Sequence, residues 1–316
     1  MTGYSIVFMG TPDFAVPTLR ALLAENEKVV AIVTQPDKPR GRGRRVVAPP
    51  VKREAERHGC LILQPRKAKD DVFIQQLKEL SPDLLVVVAY GHILPEAILA
   101  IPRIGAINIH ASLLPKYRGA APIQWAIING EKETGVTTMW MDAGMDTGNM
   151  LLSSKVAIEA DDTAAVLHDR LAIAGAQLLI KTIRRLKNGT LSSIPQDSDQ
   201  ATYAPLLKKE DGRIDWTKPA SELDCFVRGM SPWPGAFTTL AGKIFKIYRV
   251  KVVPGHTEAP SGSTIPSFPG EIYVATGKGM LSLVEVQEAS GKRLHIQDFL
   301  RGHPIPPGTI MGQNQP

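Results

Sequence analysis

The stretch Gly105-Ala106-Ile107-Asn108-Ile109-His110-Ala111-Ser112-Leu113-Leu114-Pro115-Lys116-Tyr117-Arg118 decides how this chain is read. Its first six residues are a short apolar run. Read as a strand, they put Asn108 and His110 on one face and Ile107 and Ile109 on the other, because side chains alternate along a strand. Ser112 and Pro115 then break the strand into a loop. In a parallel sheet that loop lies at a carboxyl end, where open α/β sheets bind ligands. A neutral amide beside an imidazole is suited to holding a developing oxyanion. By itself, Asn-x-His fits a satisfied structural pair equally well.

Outward from this stretch, residues 5–9, 29–34 and 83–89 have the same character as 105–110. They are short, rich in Val, Ile and Leu, and apolar on both faces, as strands of a parallel sheet must be. Helical patterns lie between them. One starts with Thr11 as cap and Pro12 at the first helical position and runs through Leu19 and Leu23. Another covers 71–80 and stops before Ser81-Pro82. This βαβ alternation predicts a doubly wound, mostly parallel α/β sheet. The first turn, Gly10-Thr11-Pro12, lacks the G-x-G-x-x-G fingerprint and argues against a nicotinamide enzyme.

Farther on, runs at 136–141 and 149–158 flank a glycine-rich loop carrying Asp142 and Asp146. Either carboxylate could be an ordinary turn residue beside glycine. A long helix follows, capped near Asp162 and ending at Asn188-Gly189, with Lys181, Arg184, Arg185 and Lys187 complementing its dipole on a solvated face. Polar residues at 190–205 read as a linker. Beyond it come a helix at 221–230 and short strands at 236–240, 243–253, 270–276 and 281–286. That spacing suggests a small barrel. Residues 255–270, rich in Gly, Pro, Ser and Thr, read as a mobile loop. The expected organisation is a domain at 1–189, a linker at 190–205 and a second domain at 206–316.

Composition sets bounds. At 316 residues, 43% hydrophobic and 22% charged, the chain has material for two ordinary globular domains. Cys60 and Cys225 provide neither a disulfide framework nor a metal-ligand cluster. The amino terminus enters a strand almost at once and shows no leader pattern, and no apolar run reaches membrane-spanning length; the expectation is a cytoplasmic protein with no membrane association. Net charge is +6, which fits a polyanionic partner without requiring one. Residues 38–45 (Lys38-Pro39-Arg40-Gly41-Arg42-Gly43-Arg44-Arg45) hold five cations and no anion. An exposed loop of that kind can follow a phosphate backbone, and a solvated charge run is the plainer alternative.

The string from Asn108 to Gln124 resembles the signature of the folate-dependent formyltransferases. Gly10-Thr11-Pro12-Asp13-Phe14, Ala89-Tyr90-Gly91 and Met141-Asp142-Ala143-Gly144-Met145-Asp146-Thr147-Gly148 resemble that family in the same order, and the likeness runs from Ile6 to about Gly308. It implies a Rossmann-like formyltransferase domain followed by an OB-like β-barrel domain that binds tRNA. It implies formyl transfer from 10-formyltetrahydrofolate, a co-substrate, without a metal. The catalytic residues it implies are Asn108, His110 and Asp146. For the folate it implies Ser112, Leu113, Leu114 and Pro115, together with backbone around Tyr90, Gly91 and Ile93.

Within the family, the arginine-rich insertion points to the branch that formylates the amino group of methionyl-initiator tRNA for translation initiation. Arg40, Arg42, Arg44 and Arg45 would approach the acceptor stem, with Arg42 reaching furthest. In the second domain Lys246 and Arg249 lie on a basic strand, with Lys243 and Lys251, that could face RNA non-specifically; solvated strand faces explain it nearly as well. The expected assembly is a monomer. The alternatives are a formyltransferase for an amino sugar nucleotide and a non-catalytic RNA-binding OB protein. The sugar enzymes typically carry Arg-Gly-Arg-Ala-Pro where this chain has Arg118-Gly119-Ala120-Ala121-Pro122, and they lack the arginine-rich insertion.

Overall fold

The computed structural model describes residues 3–40 and 45–313. In chain order the first part holds β1 (Ser5–Gly10), α1 (Val16–Ala24), β2 (Lys28–Val33), β3 (Lys38–Arg40), β4 (Arg45–Val47), α2 (Pro50–Arg57), β5 (Ile62–Leu63), α3 (Asp71–Leu80), β6 (Leu84–Val88) and α4 (Glu96–Leu99). Then come β7 (Gly105–His110), α5 (Pro122–Ile128), β8 (Glu133–Trp140), β9 (Met150–Ala157) and α6 (Ala164–Lys187). The main sheet has the order β5-β2-β1-β6-β7-β8-β9. Its first five strands are mutually parallel, and β8 and β9 join antiparallel. The chain winds out from β1 to β5 and returns through β6 on the other side. The crevice at the carboxyl ends of β1 and β6 is therefore the topological switch point of the sheet.

Strand alternation sorts the core into two layers. Val7, Met9, Ala31, Val33, Leu85, Val87 and Ala106 pack with Phe73 and Leu77 of α3 and Ile98 of α4. Asn108 and His110 continue the Ala106 side of β7. Their neighbours Ile107 and Ile109 point the other way, onto α6. There Gly175 lets the helix come so close that an added Cβ would lie 2.9 Å from Cγ2 of Ile109. Leu171, Gly175, Leu179 and Ile183 recur every fourth residue, the stripe a helix lays on a sheet. So α6 packing fixes the face of β7 on which the polar pair stands.

Chain ends of elements follow local chemistry. In α3, Asp70 caps the first turn by accepting from the Val72 amide at 3.0 Å, and Ser81 ends it in a left-handed conformation, φ 44°. The first helix departs from expectation. Thr11 does not cap it; residues Asp13–Ala15 form a 3-10 turn and the α-helix starts at Val16. The Thr11 hydroxyl instead donates to the Tyr90 carbonyl at 2.9 Å, tying β1 to the segment after β6. The basic cluster at the end of α6 is also more than dipole complement. Arg184 pairs with Glu25 at 2.5 Å and Lys187 with Glu27 at 2.6 Å.

Buried Glu54 of α2 receives a bidentate Arg20 fork at 2.7 and 2.8 Å. This donation holds the Glu54 carboxyl well below the usual range, at about 2. A depressed folded value means the pair stabilises the fold fully above about pH 4.5 and loses its contribution as pH falls toward 2. Arg20 is largely solvated, so Glu54→Gln should cost about 1–2 kcal/mol near neutrality. It should also flatten the pH dependence of the melting temperature between pH 4.5 and 2. An unchanged acid profile would show that another group governs it.

The second compact unit gathers Ile123–Lys132, Ile158–Leu167 and Pro205–Pro316. It contains α7 (Ala220–Met230), β10 (Ala236–Leu240), β11 (Lys243–Val253), β12 (Thr264–Ile265), β13 (Tyr273–Ala275), β14 (Met280–Glu288), β15 (Leu294–His295) and α8 (Ile296–Gly302). The strands make an antiparallel sheet ordered β10-β11-β14-β13-β12, with β15 on β14. Register shifts around Arg249 let the eleven-residue β11 coil while it pairs both β10 and β14. The supposed mobile loop at 255–270 contains an ordered element: Thr264–Ile265 pairs with Tyr273 and Val274. No helix among the described residues is long and apolar enough to cross a membrane.

Candidate active site

Two loops and the end of β7 build the site. The first loop begins at Ser112, whose hydroxyl donates to the Lys116 carbonyl at 2.5 Å. Buried Thr137 of β8 holds its base, donating to the Ser112 carbonyl at 2.7 Å while its oxygen accepts from the Leu114 amide at 3.2 Å. The Leu114–Pro115 bond is cis, and Tyr117 takes φ 60°. The hydrogen bonds of the loop and the turn at Tyr117 aim its carbonyl at Nε2 of His110, 2.8 Å away.

That contact settles the proton on one ring nitrogen. A carbonyl only accepts, so Nε2 carries hydrogen and Nδ1 is the position free to gain or lose one. Nδ1 lies 3.6 Å from Oδ2 of Asp146. The His110 side chain is 6% exposed and that of Asp146 18%, so this pair is largely shielded from water.

Asp146 comes from the second loop, residues 142–148, and sits at φ 54°, a left-handed conformation unusual outside glycine. Its Oδ2 accepts from the Gly119 amide at 2.8 Å, and its Oδ1 lies 3.5 Å from Nδ2 of Asn108. That contact is a long hydrogen bond donated by the Asn108 amide, whose second N–H is left for a ligand oxygen. The other carboxylate of the loop, Asp142, accepts from the Gly144 amide at 3.0 Å and the Thr147 hydroxyl at 2.7 Å. It organises its own turn and does not approach His110.

Gln196 is the residue that sequence reasoning missed. Its Nε2 donates to the carbonyls of Asp146 and Gly148, both at 2.8 Å. Its Oε1 accepts from Nε and Nη2 of buried Arg118 at 3.0 and 2.8 Å. The polar segment around it does not run free. Ile194 pairs with Met150, the Thr202 hydroxyl accepts from the Tyr117 amide at 2.9 Å, and Ala204 exchanges hydrogen bonds with Arg118 and Ala121. Composition gives no signal for this, since the partners of Gln196 lie 48 to 78 residues away in sequence.

The remaining candidates are placed as follows. Gly91 and Ile93 are exposed beyond β6, Ile93 at 88%. The Tyr90 side chain belongs to the core, where burial pushes its phenol up to about 12, so only its backbone borders the crevice. Its carbonyl is already taken by Thr11 and by Nε2 of Gln35 at 3.1 Å. Ser112 and Leu114 are buried and two of their backbone groups serve Thr137, while Leu113 and Pro115 are half-buried.

In the basic segment β3 and β4 pair antiparallel with Arg40 opposite Arg45, so Lys38–Arg40 and Arg45 belong to strands rather than to a loop. Arg42 and Arg44 lie outside the described residues. Lys246 is half-buried and Arg249 exposed. Arg249 pairs across the sheet with Glu285, which also binds Arg293, so the fold gives this basic strand an acidic neighbour. Among the described residues no group of three or more His, Cys, Asp or Glu could hold a metal ion.

A doubly wound sheet presenting a shielded His–Asp pair and an open amide at its carboxyl edge is an acyl-transfer architecture in search of a family. The formyl transferase profile matches residues 4–183 and the formyl transferase C-terminal domain profile residues 206–304. The chain belongs to the formyl transferase family. It is similar to the methionyl-tRNA formyltransferase of Geobacter metallireducens, 52% identical over 313 residues, covering 99% of this chain and 100% of that protein. That of Caldanaerobacter subterraneus subsp. tengcongensis is 52% identical over 307 residues, covering 97% and 99%. Among solved structures, an N-formyltransferase from Helicobacter canadensis bound to folinic acid and dTDP-3-aminofucose superposes with a TM-score of 0.68. It covers 90% of this chain and 99% of that one at 20% identity, a likeness of fold.

Proposed function

We propose that this chain transfers the formyl group of 10-formyltetrahydrofolate to the amino group of methionyl-initiator tRNA, acting as a cytoplasmic monomer. The observation that carries the reading is His110 lodged between the Tyr117 carbonyl and Asp146, with the Asn108 amide alongside. Similarity of about half the residues over nearly the whole length to methionyl-tRNA formyltransferases supports the choice of acceptor. The folate supplies a formamide carbon activated by its attachment to an aromatic nitrogen.

Attack by the amine puts negative charge on the formyl oxygen. Asn108 Nδ2 would donate to that oxygen, and so would the imidazolium of His110 through Nδ1–H, with Asp146 as its countercharge. When the bond to the folate nitrogen breaks, the imidazolium would give its Nδ1 proton to that leaving nitrogen, and the neutral Nδ1 would then take the proton that the attacking nitrogen must lose, restoring the imidazolium. Gly91 and Ile93 beyond β6, with Leu113 and Pro115, offer the exposed edge against which the pterin would lie.

A steady-state assay with 10-formyltetrahydrofolate and either charged initiator tRNA or an amino sugar nucleotide tests the reading. Formylation of the tRNA is expected, and exclusive formylation of the sugar would overturn it. The arginine-rich segment makes a second expectation. Arg42→Ala should raise the Michaelis constant for tRNA and flatten the log–log salt dependence of binding by up to about one unit, the loss of one phosphate contact. Folate affinity should not move. Unaltered tRNA kinetics and salt slope would return the segment to a solvated charge run.

A further inference from the structure

We infer that Gln196 is a positioning residue for the reaction, setting the distance between His110 and Asp146 by clamping the loop that carries the carboxylate. The inference rests on the reading of His110 and Asp146 given above. It begins with strain: Asp146 occupies φ 54° without being a glycine, a conformation that persists only where surroundings hold it. The Asp146 side chain is held at Oδ2 by the Gly119 amide. Its backbone is held by the Gln196 amide, which takes the carbonyls of both Asp146 and Gly148. The two N–H donors of one side chain thus hold the loop at the strained residue's own carbonyl and again two residues on.

The orientation of the Gln196 amide is fixed by chemistry. Carbonyls only accept and a guanidinium only donates, so Nε2 must face Asp146 and Gly148 and Oε1 must face Arg118. A flipped amide would lose all four contacts. Arg118 is itself buried and sits between Tyr117, whose carbonyl holds His110, and Gly119, whose amide holds Asp146. Its backbone is bound on both sides, its amide donating to Thr202 and its carbonyl accepting from Ala204. Gln196 therefore links the loop that orients the imidazole to the loop that supplies the carboxylate. Releasing it lets Asp146 relax out of its strained conformation and away from Nδ1. A misplacement of about 1 Å at a reacting group can cost about a hundredfold in rate.

The test uses the full-length enzyme with 10-formyltetrahydrofolate and charged initiator tRNA. Gln196→Ala should lower kcat about 10- to 100-fold while the Michaelis constants for both substrates stay within about twofold. Gln196→Glu preserves the acceptor for Arg118, as an ion pair, but turns both donors into an oxygen facing two carbonyls. The ion pair with Arg118 offsets part of that repulsion, so this variant should melt no lower than Gln196→Ala and still fail to restore kcat. A residue that merely braces the fold would behave oppositely, with Glu restoring activity along with stability. Gln200→Ala, whose amide reaches only Asp197, is the control for the segment and should match wild type. His110→Ala and Asp146→Asn are run beside them. Slow His110 and Asp146 variants together with a Gln196→Ala or Gln196→Glu enzyme of wild-type kcat would overturn the clamp alone. Normal turnover in all of them would overturn the reading of the site and the clamp with it.

Discussion

His110→Ala should reduce kcat by about two to four orders of magnitude, and Asp146→Asn by a similar factor, with little change in folate affinity. The size follows from what each atom is placed to do. His110 Nε2 is committed to the Tyr117 carbonyl, so Nδ1 is the one nitrogen able to donate to an oxyanion and then to pass a proton on. Removing the ring removes both tasks. Asp146→Asn keeps the shape and the Gly119 contact site but presents an amide to Nδ1 and withdraws the countercharge.

Because the two residues act as a unit, the double variant should be scarcely slower than either single one. Nitrogen NMR of the ring should show hydrogen on Nε2 in the neutral form. Near-normal turnover in a folded single variant would remove that residue from the mechanism. Fully multiplicative losses in the double variant would mean the pair does not act together.

The sheet was legible because its strands are runs such as Ile6-Val7-Phe8-Met9 and Leu84-Leu85-Val86-Val87-Val88, buried on both faces and bounded by turns. Alternation along β7 also puts Asn108 and His110 on one side, since Ile109 demands the other. What failed was local chemistry redirected by distant partners. Thr11 has the residue type and the following proline of a helix cap, yet its hydroxyl is taken by a carbonyl 79 residues on. The short pairings of Thr264–Ile265 and Leu294–His295 lie in polar, glycine- and proline-rich stretches with no strand periodicity to detect. In the site, Asp142 and Asp146 look alike in sequence. Only the folded loop shows that one caps its own turn while the other faces the imidazole. Gln196 carried no signal because its role consists entirely of contacts made after the chain returns to the sheet edge.

Gly148→Ala is expected to cost about 3 kcal/mol or more of stability and to lower turnover at least as much as loss of a catalytic side chain. The strands β8 and β9 meet with a register shift next to Thr138 and Met139, and the chain pinches there as the Trp140 amide donates to the Asn149 carbonyl at 2.9 Å. In that pinch a Cβ on Gly148 would lie 1.8 Å from the Trp140 carbonyl oxygen and 2.8 Å from its carbon. Both obstacles are backbone at the end of β8, so no rotamer change relieves the clash and the loop itself must move. Overpacking relieved by backbone shift costs about 1–3 kcal/mol in ordinary cores, and a rigid neighbour puts this case at or above the upper end.

A loss of that size should lower the melting temperature by roughly 6–12 °C. The loop cannot move without carrying Asp146, two residues away, and without breaking the Gln196 contact to the Gly148 carbonyl. Activity should therefore fall even at temperatures where the variant is fully folded. Circular dichroism melting and single-turnover kinetics, measured on the same preparation, separate the two effects. A Gly148→Ala enzyme with wild-type melting temperature and rate would show that the pinch between Gly148 and Trp140 opens at no cost, and the tight geometry assigned to the 142–148 loop would be wrong.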